Sequence, residues 1–178
     1  MRHIFFYFLF FLTLAPKESF SQDFLNLEGN EFYKKGDYLY EFGLLKIDIY
    51  KVFLYCDRKD CTRSDILNNK GSYALRFLYL RDIKKKYSKK GWEVSLKRNL
   101  KRHYRKYINE VNLLKNITKD MKKNDEVILH IDRNEFTYYK NDKVVAKITN
   151  AKLTNIIFLP WLGDNAITKA CRKDLLGN

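Results

Sequence analysis

The chain has 178 residues, a length suited to one domain with a sizeable core. Its 35 Lys and Arg against 21 Asp and Glu leave a formal net charge of +14, a balance that raises nucleic acid or an anionic lipid surface as a partner. No His or Cys joins Cys56 and Cys61 at metal-ligand spacing, and there is no Ser/His/Asp spacing, carboxylate pair or Gly-rich phosphate loop. Zinc sites, catalytic triads and nucleotide-binding loops are therefore not indicated, and no cofactor is implied.

The first residues read as a targeting segment. Met1-Arg2-His3 is a short basic start, residues 4–15 form an apolar run broken only by Thr13, and Ser19-Phe20-Ser21 offers small residues before Gln22. The run falls short of the ~20 apolar residues that a spanning helix needs. The pattern predicts a signal peptide over 1–21, cleaved near Ser21, and a mature domain over 22–178 that is periplasmic or secreted. An uncleaved anchor is the alternative. Removing the segment takes the net charge only from +14 to +13. Export argues against nucleic acid and leaves an anionic membrane surface as the electrostatic partner, or a merely solvated basic surface with no partner.

From Gln22 to Lys35 the sequence is polar with scattered aromatics, an irregular lead-in or a first strand, and Gly36-Asp37 is a turn signal. Residues 38–42 and 44–55 read as two strands around Gly43. On the second, alternation puts Leu45, Ile47, Ile49 and Phe53 on one face, the expected core. Lys46, Asp48, Tyr50, Val52 and Leu54 share the other, whose mixed polarity suits a strand lining a cleft. In an exported protein Cys56 and Cys61 are placed to close a small disulfide loop, which leaves Cys171 as a core thiol. Residues 57–72 read as a polar connection. Residues 73–81 return to strand with both faces largely apolar, so this strand is central.

Between 84 and 107 the period changes. Trp92, Leu96, Leu100, Tyr104 and Tyr107 recur at helical spacing, and the remaining faces are strongly basic. A shorter helix follows over 110–118 with Val111 and Leu114 inward. Residues 126–132, 136–140 and 143–148 are three further strands, reversed the second time at Asn141-Asp142. Two helices close the chain, over 151–158 and 165–175, with Asp164 as N-cap of the last. Strands, helices, strands and helices in that order suit an α+β domain whose single antiparallel sheet is covered on one face by helices.

Three stretches carry a resemblance: Lys46-Ile-Asp-Ile-Tyr-Lys-Val-Phe-Leu-Tyr55, Ala74-Leu-Arg-Phe-Leu-Tyr-Leu-Arg-Asp-Ile83, and residues 123–177 with the Pro160-Trp-Leu-Gly163 break and the Leu175-Leu-Gly177 ending. In order and spacing they resemble the bacterial exported branch of the chalcone isomerase-like family. The resemblance implies an open-faced β-sandwich, a large antiparallel sheet with a helical layer on one face and a ligand cleft between them. It implies two behaviours: cyclisation of chalcones with an Arg, a Thr and a Tyr, or binding of fatty acids without catalysis, the carboxylate clamped by an Arg and a Tyr. Tyr50 falls where the enzymes have their Thr and the binders their Tyr. The upstream Arg is missing, since no Arg occurs between Arg2 and Arg58, and Lys34, Lys35 or Lys46 supplies charge without a planar fork. A second enzyme motif, Tyr with Asn seven residues on, is echoed at Tyr87, but the residue seven on is Val94.

Three readings follow. In the first, the protein binds a fatty-acid-like or other small amphiphilic ligand without catalysis, through Tyr50, Lys46 on the same strand face and Arg76 from the neighbouring strand, with Val52, Leu54 and Leu78 along the tail. The plainer alternatives are a strand tyrosine with its hydroxyl in water and an Arg76 paired with Asp48. In the second it is an isomerase or lyase, with Tyr50 and Tyr87 as the candidate catalytic groups. In the third it is an envelope interaction protein that adheres to anionic lipid through the basic helix over 84–106. The tail reads as a helical lid that completes the core, with Trp161 as a packing anchor.

Overall fold

A computed structural model describes residues 23–177. The expected signal peptide and its cleavage point lie outside the described residues. Seven strands follow one another in a single antiparallel meander: β1 (Phe24–Leu27), β2 (Asn30–Phe42), β3 (Ile47–Cys56), β4 (Ser72–Tyr79), β5 (Glu126–Asp132), β6 (Glu135–Lys140) and β7 (Lys143–Thr149). Sequential pairing needs only short reversals where no helix intervenes. Asn141-Asp142 makes one, as Glu28-Gly29 does between β1 and β2, each pair with φ in the left-handed region, as a two-residue hairpin turn demands.

The helices are α1 (Arg63–Leu67), α2 (Lys85–Leu100), α3 (Ile108–Ile117), α4 (Ala151–Ile157), α5 (Leu159–Leu162) and α6 (Lys169–Leu175), with a 3-10 segment over Lys101–Tyr107. They cover one face of the sheet. There Val52, Leu54, Leu75, Phe77 and Leu129 meet Leu96, Val111, Leu114, Leu153 and Leu175 in the main core. The other face carries a smaller cluster, in which Leu25, Leu27 and Phe32 lie over Phe53, Tyr55, Ala74 and Ile128. The start of β2 curls back to bring them there, and the β1–β2 turn is held by a hydrogen bond from the Tyr139 hydroxyl to Glu28 Oε1 at 2.8 Å. The expected α+β open-faced arrangement holds, with β4 central and apolar on both faces.

Several local expectations give way. Gly36-Asp37 is not a turn but lies inside β2, beside a register shift between Lys34 and Gly36. Glycine stands there because α6 crosses it: a Cβ would collide with the backbone carbonyls of Asp174 and Leu175. The expected core face of β3 is also reversed. Leu45 is exposed in the turn and Phe53 joins the small outer cluster, whereas Val52 and Leu54 enter the main core. The polar connection over 57–72 contains α1, opened by a capping box in which the Thr62 hydroxyl accepts from Asp65 N. The long basic helix breaks at Lys101, whose φ of 49° is left-handed. The last helix is capped by Thr168, whose Oγ1 accepts from Cys171 N at 2.9 Å, and Asp164 instead pairs with Arg63 at 2.7 Å.

Candidate functional site

Side chains directly opposite one another on adjacent strands share a face. Tyr40 pairs with Tyr50 and Tyr50 with Tyr79, so three tyrosines cross β2, β3 and β4 in one row beneath the helices. The next row is Tyr38, Val52 and Phe77. Tyr40 stacks on Tyr50 at 5.0 Å, and Tyr50 meets Phe77 edge-on at 5.3 Å. From the helical side Trp161 lies 5.0 Å from Phe77 and 5.4 Å from Trp92. The seam between sheet and helices is thus an aromatic layer that contains both tryptophans of the chain.

Its polar points are few. Trp161 Nε1 donates to the Tyr50 hydroxyl at 3.1 Å, which anchors the short α5 on the sheet. Thr168 Oγ1, besides capping α6, donates to the Tyr38 hydroxyl at 3.1 Å. Burial pushes the Tyr50 phenol well above its ordinary value, with the Trp161 hydrogen bond opposing, and burial likewise raises Tyr79. The Cys171 thiol, buried under α6, is pushed up to about 12 by desolvation and then by Asp174. Tyr40 is half-buried. Burial and the neighbouring Tyr38 raise its phenol, while the charge of Arg98 pulls the other way. That guanidinium sits at the edge of the seam, with Nε and Nη2 donating to the carbonyls of Asn165 and Ala166 at 3.0 and 2.9 Å.

The three expected ligand residues are not brought together. Tyr50 lies in the seam, as anticipated for a cleft strand. Lys46 is not on the strand at all: with φ 45° it belongs to the β2–β3 turn and is exposed. Arg76 lies opposite Phe53 and Ile128, on the face away from the helices. It donates to Glu126 Oε2 at 2.6 Å and to the Tyr55 hydroxyl, so its partner is Glu126 rather than Asp48. Leu78 shares that outer face and leaves the tail's path. Tyr87 is exposed on the first turns of α2 and does not face the seam. Cys56 and Cys61 are bonded, with Cα atoms 6.4 Å apart, and Cys171 is a buried free thiol. Sequence reasoning missed Tyr38, Tyr40, Tyr79, Trp92 and Arg98. The alternation Tyr38-x-Tyr40 was a usable signal, but the register that sets Tyr40 against Tyr50 depends on a second register shift, between Tyr40 and Glu41.

A groove of about 400 Å³ on the outer face runs between β1 and the β4–β5 pair, with the Arg76–Glu126 ion pair in its wall. That pair is neutralised internally and Asp142 adds a carboxylate to the lining, so the groove does not favour an anionic ligand. Among the described residues no three His, Cys, Asp or Glu side chains gather as a metal site.

A curled antiparallel sheet packed on one face by helices, with a partly buried row of phenols between the two layers, defines the architecture. The sequence profile of chalcone isomerase-like proteins matches residues 44–177, and the chain belongs to the chalcone isomerase-like family. Among solved structures it is similar to a fatty-acid binding protein of Arabidopsis thaliana, with a TM-score of 0.66 and 15% sequence identity, over 82% of this chain and 86% of that one. At that identity the likeness is one of fold. No curated protein matches the sequence.

Proposed function

We propose that this protein binds a small amphiphile of the fatty-acid type in the seam between sheet and helices, without transforming it. The observation that carries the reading is the partly buried row Tyr40, Tyr50 and Tyr79 beneath Trp161 and Trp92. Phenols held protonated by burial donate hydrogen bonds to a carboxylate, and the aromatic walls take the apolar tail. Tyr50 accepts from Trp161, so its own proton stays available to a ligand oxygen. Arg98 at the edge supplies the cation that neither Lys46 nor Arg76 brings. The ligand enters by displacing the Trp161 ring, carried on a helix of only four residues. The fold neighbour that binds fatty acid supports the same reading. An isomerase or lyase needs a base beside the reacting carbon, and raised phenol and thiol pKa values favour donation over proton abstraction.

Export of the mature domain belongs to this proposal, since the Cys56–Cys61 bond is of a kind that persists in oxidising compartments. The test is direct. Protein purified from a heterologous host is extracted and its lipids weighed by mass spectrometry, and delipidated protein is titrated with oleate while tryptophan emission is followed. We expect about one fatty acid per chain and a saturable emission change, because both tryptophans line the seam. Tyr50→Phe with Arg98→Ala should weaken oleate at least ~10-fold, the equivalent of one good charge-assisted contact. An empty extract together with flat emission at saturating oleate would rule the reading out.

A further inference from the structure

The antiparallel order places the β2–β3 turn, the link from β4 to α2, the link from α3 to β5 and the β6–β7 turn at one end of the sheet. That end is apolar where it projects furthest. Phe42 is 61% exposed, Leu45 85%, and Leu44 is fully exposed, all on the tip of one hairpin closed by a hydrogen bond from Lys46 N to the Gly43 carbonyl at 3.2 Å. Tyr87, also 61% exposed, stands on the first turns of α2 at the same end, with the Lys86 ammonium 5.0 Å above its ring. Three large exposed apolar side chains gathered within one hairpin tip, Phe42 at the end of β2 and Leu44 and Leu45 in the turn, are not what a solvated loop carries, and such a patch marks a docking site.

The charges around it identify what docks. Lys46, Lys84, Lys85 and Lys86 form no salt bridge among the described residues and all four are exposed, although Asp120, which accepts from Lys85 N at 2.6 Å, feels the charges of Lys84 and Lys85. The acids Asp82 and Asp125 at this end are held by Lys122 and Lys140 at 2.9 and 2.8 Å, while Glu41, Asp48, Asp120 and Asp142 stay exposed. A second copy of the chain would set a net charge of +14 against itself. A surface that is apolar within and negative outside matches both features: the hairpin enters the acyl boundary and the lysines lie at the headgroups.

We propose that the β2–β3 hairpin tip, residues 42–46, inserts into the surface of an anionic phospholipid bilayer, with Tyr87 and the lysines at the start of α2 seated on the headgroups. This docking does not depend on what the seam holds.

The experiment places an environment-sensitive nitrobenzoxadiazole label at Leu44→Cys. Labelling is specific because Cys56 and Cys61 are bonded and Cys171 is buried. The control label is at Lys152→Cys, exposed at the start of α4 near the opposite end of the sheet. With vesicles of phosphatidylglycerol and phosphatidylcholine in equal parts, emission at position 44 should shift to the blue and rise at least ~2-fold, while position 152 stays water-like. Phosphatidylcholine alone should give no change, and raising salt from about 0.1 to 0.5 M should weaken the response severalfold. The unlabelled double variant Leu44→Asp with Leu45→Asp, which alters only exposed side chains, should bind the anionic vesicles at least ~10-fold less tightly. A label at 44 that stays in water while the full chain co-sediments would overturn the proposal by placing the contact elsewhere, the first residues included. A blue shift without vesicles that grows with protein concentration would overturn it in favour of a second copy.

Discussion

The His130 imidazole lies beneath Phe32, whose ring meets it edge-on at 5.3 Å, with Nε2 and the Ser72 hydroxyl 2.9 Å apart. Burial lowers its pKa from the ordinary 6.5. Glu28, Asp132 and Glu135 pull it back up, and Lys147 pushes it further down. In the unfolded chain the ring takes up a proton as pH falls through about 6.5, and in the folded chain it resists. The unfolded state therefore binds more protons there, and this contribution to stability is complete above 6.5 and declines below it. Urea midpoints measured between about pH 7.5 and 5 should fall on the acid side, and His130→Gln should flatten that fall. A pH profile identical in the variant would mean that the imidazole is not the group responsible. At this scale the sequence was a partial guide. Alternation correctly separated Tyr50 from its neighbours, but Lys46 was carried onto the strand when its backbone turns. Arg76 was assigned to the wrong face because even positions of β3 meet odd positions of β4.

Helix α6 shows how one element is seated by contacts far along the chain. Thr168 caps it and also donates to Tyr38, Cys171 and Leu175 are buried, and the carbonyls of Asp174 and Leu175 rest on Gly36 of β2. The collision at Gly36 is with backbone, which cannot rotate aside as a side chain can. Gly36→Ala should therefore cost about 1–3 kcal/mol, as overpacking does. That is a fall in Tm of ~2–4 °C per kcal/mol for a domain of this size, read by thermal unfolding, and an unchanged Tm would show that α6 rides freely over β2. The helix was visible in sequence as an apolar stripe before Leu175-Leu-Gly177, but its start was not. Asp164 and Thr168 are both acceptable caps; in the structure Thr168, tied to Tyr38, caps α6 and Asp164 pairs with Arg63. The short α1 was legible in principle, since Thr62-x-x-Asp65 is a capping pattern, but five helical residues are too few for periodicity to register.

For the whole molecule the Cys56–Cys61 bond acts chiefly on the unfolded chain, by closing a small loop there. Chain entropy for so short a loop gives ~2 kcal/mol. Mild reduction should therefore lower Tm by roughly 4–8 °C, with Cys171 protected by burial, and no shift on verified reduction would refute the estimate. The succession of strands from β3 to β7, the central place of β4, the basic helix and the closing helical lid were legible because period and turn chemistry are local, whereas the β1–β2 hairpin was left as a lead-in and a turn was set at Gly36-Asp37 inside β2. The phenol row, the outward turn of Arg76 and the joint placement of the apolar hairpin tip with the lysines of α2 were not. Each depends on interstrand register and on which sheet face the helices cover. The β3–β4 register, two register shifts in β2 and the curl of its first residues settle those choices through packing between segments distant in sequence, and local patterning carries no record of them.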